Sequence, residues 1–226
     1  MKVTNWMQPN PRTITSDALV SEAKRILSEN NLRALPVVDD GELRGLITRA
    51  SCLRATEFVT RTQDVNEFDY LVNRLKVKDL MVRRPATVKA TDTMEHVLQK
   101  GQTLKIGQFP VLEGDQVVGL ISATEVFKLA AIFLGVFEKW SGITLAPIEI
   151  EPGTVGRIAA IAEGAGAIVH SIYPIGQEVA GGPKRVILRF KCTACEKVDE
   201  VVSAFEGAGY KVLEFDAELQ KNIEHG

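Results

Sequence analysis

The chain has 226 residues, of which 45% are hydrophobic and 25% charged, and its formal net charge is -2. This composition is ordinary for a soluble globular protein of one or two domains, and the nearly neutral charge argues against broad binding to nucleic acid or to an anionic membrane surface. The three cysteines are too few for a disulfide framework, which favours a cytoplasmic location. The apolar stretch 129–137 is too short to span a membrane.

The first part of the chain, from about residue 3 to residue 53, has the pattern of a strand, a helix, a hairpin and a closing helix. The hydrophobic periodicity and the turn residues place these elements. They are a strand at 12–15, a helix that begins after Ser16 or Asp17 and ends at Asn30-Asn31, strands at 35–38 and 43–47, and a helix from Arg49.

The same order returns between residues 77 and 140, and the two segments align at a constant offset without a gap. Met7 aligns with Met81, and Gly45-Leu46-Ile47-Thr48 aligns with Gly119-Leu120-Ile121-Ser122. A duplicated unit of this size predicts two similar modules that bury a face against each other. The linker 54–76 is polar with one short helical pattern. The last helix, predicted over 126–140, is apolar on nearly all sides, which suggests burial against another subunit.

Residues 142–215 have a different pattern, which predicts the order βαββαβ, the ferredoxin-like arrangement. The predicted fold class is therefore α/β (α+β). We expect a first repeat with its linker over 1–76, a second repeat with its connecting helix over 77–141, a third domain over 142–216 and a polar tail over 217–226.

Each repeat resembles a CBS domain, the module named after cystathionine β-synthase. The resemblance depends on the Met-x-x-x-Pro-x-Thr openings at Met7 and Met81, on the Pro-Val strands, and on the Gly-Leu-Ile-(Thr/Ser) strand ends. Two such domains in tandem are similar to a Bateman pair. The resemblance implies a regulatory ligand in the cleft between the repeats, namely an adenine nucleotide (AMP, ADP or ATP) or S-adenosylmethionine.

The third domain resembles an ACT domain, through Glu151-Pro152-Gly153 at the first helix, through 164–168 at its end, and through the βαββαβ order. The whole chain is similar to bacterial CBS–ACT regulatory proteins, including acetoin-utilisation proteins. This resemblance implies an amino-acid effector in the first strand-to-helix loop. The residues there are Gly153, Val155, Gly156 and Arg157. Ala167 stands where amino-acid binders often carry Asn, so a dimerising domain without a ligand is the alternative.

In the CBS family a hydroxyl ends the last strand and an acid follows three residues later. The hydroxyl and the first helical N–H groups suit phosphate, and the carboxylate suits the ribose hydroxyls. The first repeat has Thr48 and Ser51 at these positions, and the second has Ser122 and Glu125. Because Ser51 is a weaker acceptor than a carboxylate, we expect the second site to be better formed. Glu125 as a simple first-turn acid, favoured by the helix dipole, is the alternative.

The resemblance also implies a slot for the base and basic groups for phosphate. The slot is expected to involve Thr13, Ile14, Leu35 and Pro36 in the first repeat, and Thr87, Val88, Phe109 and Pro110 in the second. Arg33 and Arg84, the latter next to Arg83, are the basic candidates. The alternative is that the slot residues only determine the fold and that the arginines are solvated surface charges.

Three functional hypotheses follow. The first is a non-catalytic, homodimeric sensor of an adenosyl ligand. The second is a ligand-free scaffold that docks on a metabolic enzyme. The third is a redox or metal-linked enzyme that uses Cys192 and Cys195, which lie where a helix N-terminus would lower a thiol pKa. The sequence contains no Walker A, His-Glu-x-x-His or Gly-x-Ser-x-Gly motif, which favours the first two.

Overall fold

A computed structural model describes residues 1–60, 74–138, 140–176, 182–192 and 196–216. Most of the linker, including the start of its short helical pattern, and the tail 217–226 lie outside these residues. The chain divides into two compact units, Met1–Leu129 and Ala130–Gly226. The predicted domain boundaries stay predictions. None of the helices in the described part of the chain is long and apolar enough to cross a membrane.

The first unit contains both repeats, each with the predicted helix–hairpin–helix order. A 3-10 helix, Val3–Asn5, precedes β1 (Gln8–Pro9), α1 (Val20–Glu29), β2 (Ala34–Asp39), β3 (Glu42–Thr48) and α2 (Arg49–Thr60). The second repeat has α3 (Val77–Leu80), β4 (Val82–Arg83), β5 (Val88–Lys89), α4 (Met94–Leu104), β6 (Gln108–Glu113), β7 (Gln116–Ser122) and α5 (Ala123–Phe133).

The first strand of each repeat completes the sheet of the other repeat. One sheet has the order β2-β3-β4 and the other β1-β7-β6-β5. Thus β1, from the start of the first repeat, pairs antiparallel with β7, and β4, from the start of the second repeat, pairs antiparallel with β3. The duplicated halves are therefore interlocked by an exchange of strands, which the repeat pattern alone does not reveal.

The packing of a methionine onto a glycine explains how each exchanged strand fits against its sheet. Gly119 on β7 lies under the Met7 side chain, and a Cβ added at Gly119 would collide with the Met7 sulfur. In the first repeat, a Cβ on Gly45 would lie 2.5 Å from Met81 Sδ. Each glycine leaves the space into which a methionine of the exchanged segment packs.

The exchange extends into the two hydrophobic cores. Val3 is fully buried in the core of the second repeat, with Met94, Phe109 and Ile121. Val77 is fully buried in the core of the first repeat, together with Leu27, Leu35 and Ile47. Each core therefore includes a residue from the start of the other repeat.

Three local predictions were wrong. The segment 12–15 forms only an isolated bridge, between Ile14 and Val37. The N-cap of α1 is Leu19, which has no side-chain cap. Asp17 instead accepts hydrogen bonds from Lys78 Nζ (2.7 Å) and Lys76 Nζ (3.1 Å), and these contacts lower the pKa of its carboxyl. Asp17 thus ties the start of α1 to the linker end.

The third error concerns the long apolar helix predicted over 126–140, because α5 ends at Phe133. Gly135 has φ of 66°, and the N–H of Val136 donates to the carbonyl of Ala131 (3.0 Å), which forms a Schellman motif. A Cβ on Gly135 would collide with the Trp140 ring. The apolar residues after 133 therefore form a folded connection rather than helix.

The second unit has the predicted βαββαβ order. Its elements are β8 (Ser141–Ile148), α6 (Thr154–Gly164), β9 (Ile168–Ile175), β10 (Lys184–Lys191), α7 (Glu196–Gly207) and β11 (Val212–Asp216). The four strands form an antiparallel sheet in the order β11-β8-β10-β9. Both helices contribute to one core, which includes Ile158, Phe190 and Phe205. The assignment of this unit as an ACT domain stays a prediction.

Candidate functional site

The two hairpins of the first unit turn one face toward each other. Leu35 on β2 and Ile47 on β3 are register partners and belong to the core. Leu46 precedes Ile47 on the strand and therefore lies on the opposite face. Leu46 is buried in a small cluster with Ala34 and with Leu120 of the second hairpin. This cluster is the contact between the repeats.

Both strand-end hydroxyls share the face that carries this contact. Thr48 is the register partner of Ala34, and Ser122 is the register partner of Gln108. Since side chains of a strand alternate, Thr48 lies on the same face as Leu46, and Ser122 on the same face as Leu120. The structure therefore brings the two predicted phosphate-binding hydroxyls to the inter-repeat side.

Ser122 and Glu125 form a capping arrangement at the start of α5. The Ser122 N–H donates to Glu125 Oε2 (2.7 Å), and the Ser122 hydroxyl donates to the same oxygen (2.5 Å). Thr124 N–H in turn donates to Ser122 Oγ (3.2 Å). This resembles a capping box, in which the serine and the acid satisfy helix N-terminal donors. Glu125 Oε2 is thus engaged locally, and Glu125 Oε1 accepts no hydrogen bond from the described residues.

The first repeat has a weaker version of this arrangement. Ser51 N–H donates to Thr48 Oγ1 (3.1 Å), and the two hydroxyl oxygens lie 2.9 Å apart. Ser51 is buried, with 6% of its surface exposed. With no carboxylate and a buried hydroxyl at position 51, this site offers a ribose fewer acceptors than the second.

The predicted slot residues that precede each first helix differ in burial. Ile14 and Val88 are buried, and each pairs with the adjacent parallel strand segment, while Thr13 is exposed. The carbonyl of Thr87 accepts a hydrogen bond from Lys100 Nζ (2.7 Å), a contact that the sequence analysis did not anticipate. The aligned residue of the first repeat is Ile26, so no pattern shared by the repeats pointed to Lys100.

The proline and aromatic slot residues lie on opposite faces of the second hairpin. Pro36 and Pro110 are buried and are register partners of Leu46 and Leu120, which places them on the inter-repeat side. Phe109 belongs to the core of the second repeat. Its assignment to the base slot stays a prediction.

The two basic candidates are exposed. Neither Arg33 nor Arg84 forms a side-chain hydrogen bond or an ion pair with another described residue, and Arg84 has φ of 51°, in the left-handed region. Asn10, which aligns with Arg84, has φ of 47° and also precedes a proline. The turn before each repeat's proline therefore imposes this backbone shape, whatever the side chain does.

An apolar cavity of about 240 Å³ lies on the core side of the second hairpin. It is lined by α4, by the end of β7 and by the start of α5, and Phe127, Leu98 and Ile106 form part of its rim. Ser122 and Gln102 are its polar contributors. Pockets that bury drug-sized ligands usually measure about 300–1,000 Å³, so this cavity is too small for a whole nucleotide.

The predicted effector residues surround the N-terminus of α6. Gly153 has φ of 87° and precedes the helix, so its backbone needs glycine or a strained side chain. Arg157 Nη2 donates to Thr154 Oγ1 (3.0 Å). Val155 is exposed, and no atom lies within 4 Å of a Cβ placed at Gly156. These residues share one helix end, as the sequence predicted, but the described structure shows no polar anchor beyond Arg157.

The cysteine hypothesis is not tested by the structure, because Cys195 lies outside the described residues. Burial raises the pKa of the Cys52 thiol, which makes it a poor nucleophile. Within the described ranges, no group of three His, Cys, Asp or Glu side chains is placed to hold a metal ion.

Two segments of the chain match a known protein family. Residues 3–57 and 77–132 match the CBS domain family. An inosine-5'-monophosphate dehydrogenase from Korarchaeum cryptofilum is 28% identical over 116 residues, which are 51% of this chain and 21% of that protein. The chain therefore spans only about a fifth of the length of this curated relative, and the next one, a homoserine O-acetyltransferase from Methanosalsum zhilinae, is covered over 23%.

Solved structures show the same fold in the first unit. The CBS domain pair of protein MJ0100, in complex with 5-methylthioadenosine and S-adenosyl-L-methionine, is 24% identical with a TM-score of 0.50, covering 59% of this chain and 98% of that one. A protein assigned to acetoin utilization (AcuB) from Vibrio cholerae is 23% identical with a TM-score of 0.50, covering 61% of this chain and 96% of that one. At these identities the likeness concerns the fold.

Proposed function

We propose that this chain, whose residues 3–57 and 77–132 are a tandem CBS domain pair, is a non-catalytic regulatory sensor of an adenosyl ligand. The observation that carries the proposal is the Ser122–Glu125 arrangement on the inter-repeat side of the second hairpin. A carboxylate held by its own helix end presents a fixed acceptor, and a helix N-terminus favours an anionic group nearby.

The ligand would be AMP, ADP, ATP or S-adenosylmethionine, which share the adenosine half. The CBS pair of protein MJ0100 was solved with two adenosyl compounds, which makes such compounds the first to test on a chain of the same fold. The second site is the stronger candidate, because Ser51 supplies only a buried hydroxyl where Glu125 supplies a carboxylate.

The mechanism would be differential binding. Because each sheet contains a strand from outside its own repeat, a change in the angle between repeats must be accommodated by β1 and β4 together. A ligand that fits one arrangement better shifts the population toward it. If the ACT-like unit binds an amino acid through Gly153, Val155, Gly156 and Arg157, the two affinities must be coupled reciprocally.

The proposal includes a homodimer formed through the helical side of the second repeat. Phe127 on α5 is 71% exposed and lies beside the apolar cavity. An exposed aromatic side chain next to an apolar cavity suits an isologous contact, in which Phe127 of each copy fills the cavity of the other. We expect Phe127→Glu to convert a dimer to a monomer in light scattering, and Lys128→Glu, at an exposed position about 100° further round the same helix that does not line the cavity, to leave it intact. A wild-type monomer at micromolar concentration would remove this part of the proposal.

The sensor hypothesis is tested by titrating the full chain calorimetrically with each of the four adenosyl ligands. We expect saturable binding of at least one, weakened about tenfold or more by Glu125→Gln, because hydrogen bonds to charged groups are worth about 1.5–3 kcal/mol. Glu22→Gln is the matched control, since Glu22 is also a first-turn acid but is exposed on α1, away from Ser122. Equal affinity of the Glu125→Gln and wild-type proteins would refute the site.

A second candidate is a ligand-free scaffold that docks on a metabolic enzyme. It is favoured by one observation, that Ser122, Glu125, Thr48 and Ser51 already satisfy one another locally. The absence of any melting-temperature change with all four ligands would favour this candidate, because a ligand that binds only the folded state must raise it.

A further inference from the structure

The face of the second unit's sheet that points away from its helices carries basic side chains on the central strand β10. Along β10, Val186, Leu188 and Phe190 are buried in the core. The alternate positions therefore face the other way. They carry Arg185, Ile187, Arg189 and Lys191. Three of the four are cations, so this outer face has a basic central strand.

Arg189 has fewer partners within the described residues than a partly buried guanidinium normally has. Its Nε is buried and has no hydrogen-bond partner among these residues. No ion pair joins its guanidinium to a carboxylate among the described residues. Its Nη1 lies 2.5 Å from the position that a Cβ on Gly142 would occupy, so the glycine at 142 leaves the space in which the side chain lies across β8. Buried donors without partners are rare in folded proteins and costly when they occur.

A second orphan group lies beside it. Ser171 on β9 is the register partner of Arg189, while Gly142 is its partner on the other side. Directly paired residues have Cβ atoms about 4.5–5.5 Å apart and share a face. The Ser171 hydroxyl is also buried, and no described residue forms a hydrogen bond with it. Two unsatisfied polar groups, one cationic and one neutral, are thus adjacent on one face.

From this pairing we propose an oxyanion site on the outer face of the sheet, formed by Arg189 and Ser171 over Gly142. Its ligand is the carboxylate or phosphate group of a small metabolite. A guanidinium and a hydroxyl on neighbouring strands provide the donors that two oxygens of such a group accept, and Arg is well suited to planar oxyanions. Because Nε and the hydroxyl are closed to solvent without a ligand, the guanidinium turns away from Gly142 when the anion enters.

This site is separate from the adenosyl site, which lies in the first unit, and from the effector residues around Gly153. The basic neighbours on β10 raise the local concentration of anions without contacting them. Asp216 is the register partner of Gly142 on β11, on the opposite side of β8 from Arg189.

The test measures the melting temperature and the calorimetric titration of the full chain with sodium phosphate and with sodium acetate, at constant ionic strength with chloride. We expect saturable binding of one or both, and the stronger of the two identifies the ligand chemistry. Arg189→Met should abolish the binding, and Ser171→Ala should weaken it about tenfold. Arg185→Met, on the same strand and face, removes the same charge and should weaken the binding far less than Arg189→Met.

Other outcomes overturn the proposal. A linear, unsaturable rise in melting temperature that persists in Arg189→Met is general salt stabilisation. No effect of either anion, or equal binding by wild type and Ser171→Ala, would also refute it. If Arg189→Met does not fold, Arg189→Lys together with Ser171→Ala carries the test. Anion binding that survives Glu125→Gln but not Arg189→Met separates this site from the adenosyl site, so that either can fail alone.

Discussion

Because strands are exchanged between the repeats, we expect that shortening a methionine restores stability to a glycine-to-alanine variant in the second repeat, but much less in the first. A Cβ on Gly119 would collide with the Met7 sulfur and lie 2.9 Å from Met7 Cγ, while the nearest backbone atom, Gln8 O, is 3.2 Å away. The obstacle at Gly119 is therefore a flexible side chain. Overpacking of this kind costs about 1–3 kcal/mol, so we expect Gly119→Ala to destabilise the protein by about that amount.

Shortening the methionine should relieve the collision. Met7 is half-buried, so Met7→Ala alone should cost about 1–2 kcal/mol, less than the 2–5 kcal/mol of a fully buried methionine. In the double variant, the alanine at 119 fills part of the space that the methionine left. We therefore expect a coupling of about 1–2 kcal/mol between Met7 and Gly119.

The equivalent pair in the first repeat should behave differently. A Cβ on Gly45 would lie 2.5 Å from Met81 Sδ but also 2.9 Å from the carbonyl oxygen of Val82, which is backbone of β4. Met81→Ala removes only the first obstacle. We therefore expect Gly45→Ala to stay destabilising in the double variant, with much less coupling than at Gly119.

Urea unfolding followed by tryptophan fluorescence measures all six variants, and Trp6 packs against the core of the second repeat, near Met7. Gly107→Ala is the control, because its Cβ would make only an ordinary 3.7 Å contact with Ala123. Additive free energies of unfolding for Met7→Ala and Gly119→Ala would mean that Met7 does not lie on Gly119. The exchange of strands would then be wrong.

Two further predictions concern the connection after α5 and the linker end. Gly135→Ala should destabilise the protein by about 2 kcal/mol or more, because Gly135 has φ of 66° and its Cβ would enter the Trp140 ring. Thermal unfolding measures the loss of stability. The control is Gly164→Ala, whose Cβ would meet nothing within 4 Å outside its own helix backbone, and an equal loss in the two variants would contradict the prediction. Asp17→Asn should lower stability near pH 6, because hydrogen bonds from Lys78 and Lys76 lower the folded-state pKa of Asp17. A lowered pKa contributes stability that is fully present above the unfolded value of about 3.9 and is lost as pH falls through the folded value. The difference from wild type should therefore shrink as pH falls below about 4, vanish below the folded pKa, and shrink in high salt. A difference that is independent of pH would refute the ion-pair explanation.

Local sequence signals located most elements of this protein. The hairpin strands of both repeats follow from apolar alternation around Asp40-Gly41 and Gly114-Asp115, and both turns have the positive φ that such hairpins need at Asp40, Gly41 and Gly114. The βαββαβ order of the second unit follows in the same way. The apolar run 126–140 led to a wrong prediction of the helix end, because Gly135 ends the helix at a point where apolar residues continue in the sequence.

The candidate site was predictable only in part. The strand-end hydroxyls recur at fixed positions in a duplicated motif, and Glu125 stands where the family resemblance implies an acid, so the sequence indicated these residues and their helix starts. Lys100 was missed because its contact with the Thr87 carbonyl joins residues from different elements and has no counterpart in the first repeat. Arg189 and Ser171 were missed because they are isolated polar residues in apolar strands, and only the sheet register makes them neighbours.

The sequence by itself determined the duplication, the strand and helix periods, and the turn residues, since each depends on interactions within a few residues of chain. Only the tertiary structure decided which strand pairs with which. The register of β1 on β7 and of β4 on β3 depends on contacts such as Met7 on Gly119, between residues that are far apart in the chain. A local pattern specifies that a strand forms and which face it buries, but its partner is chosen by packing across the whole unit.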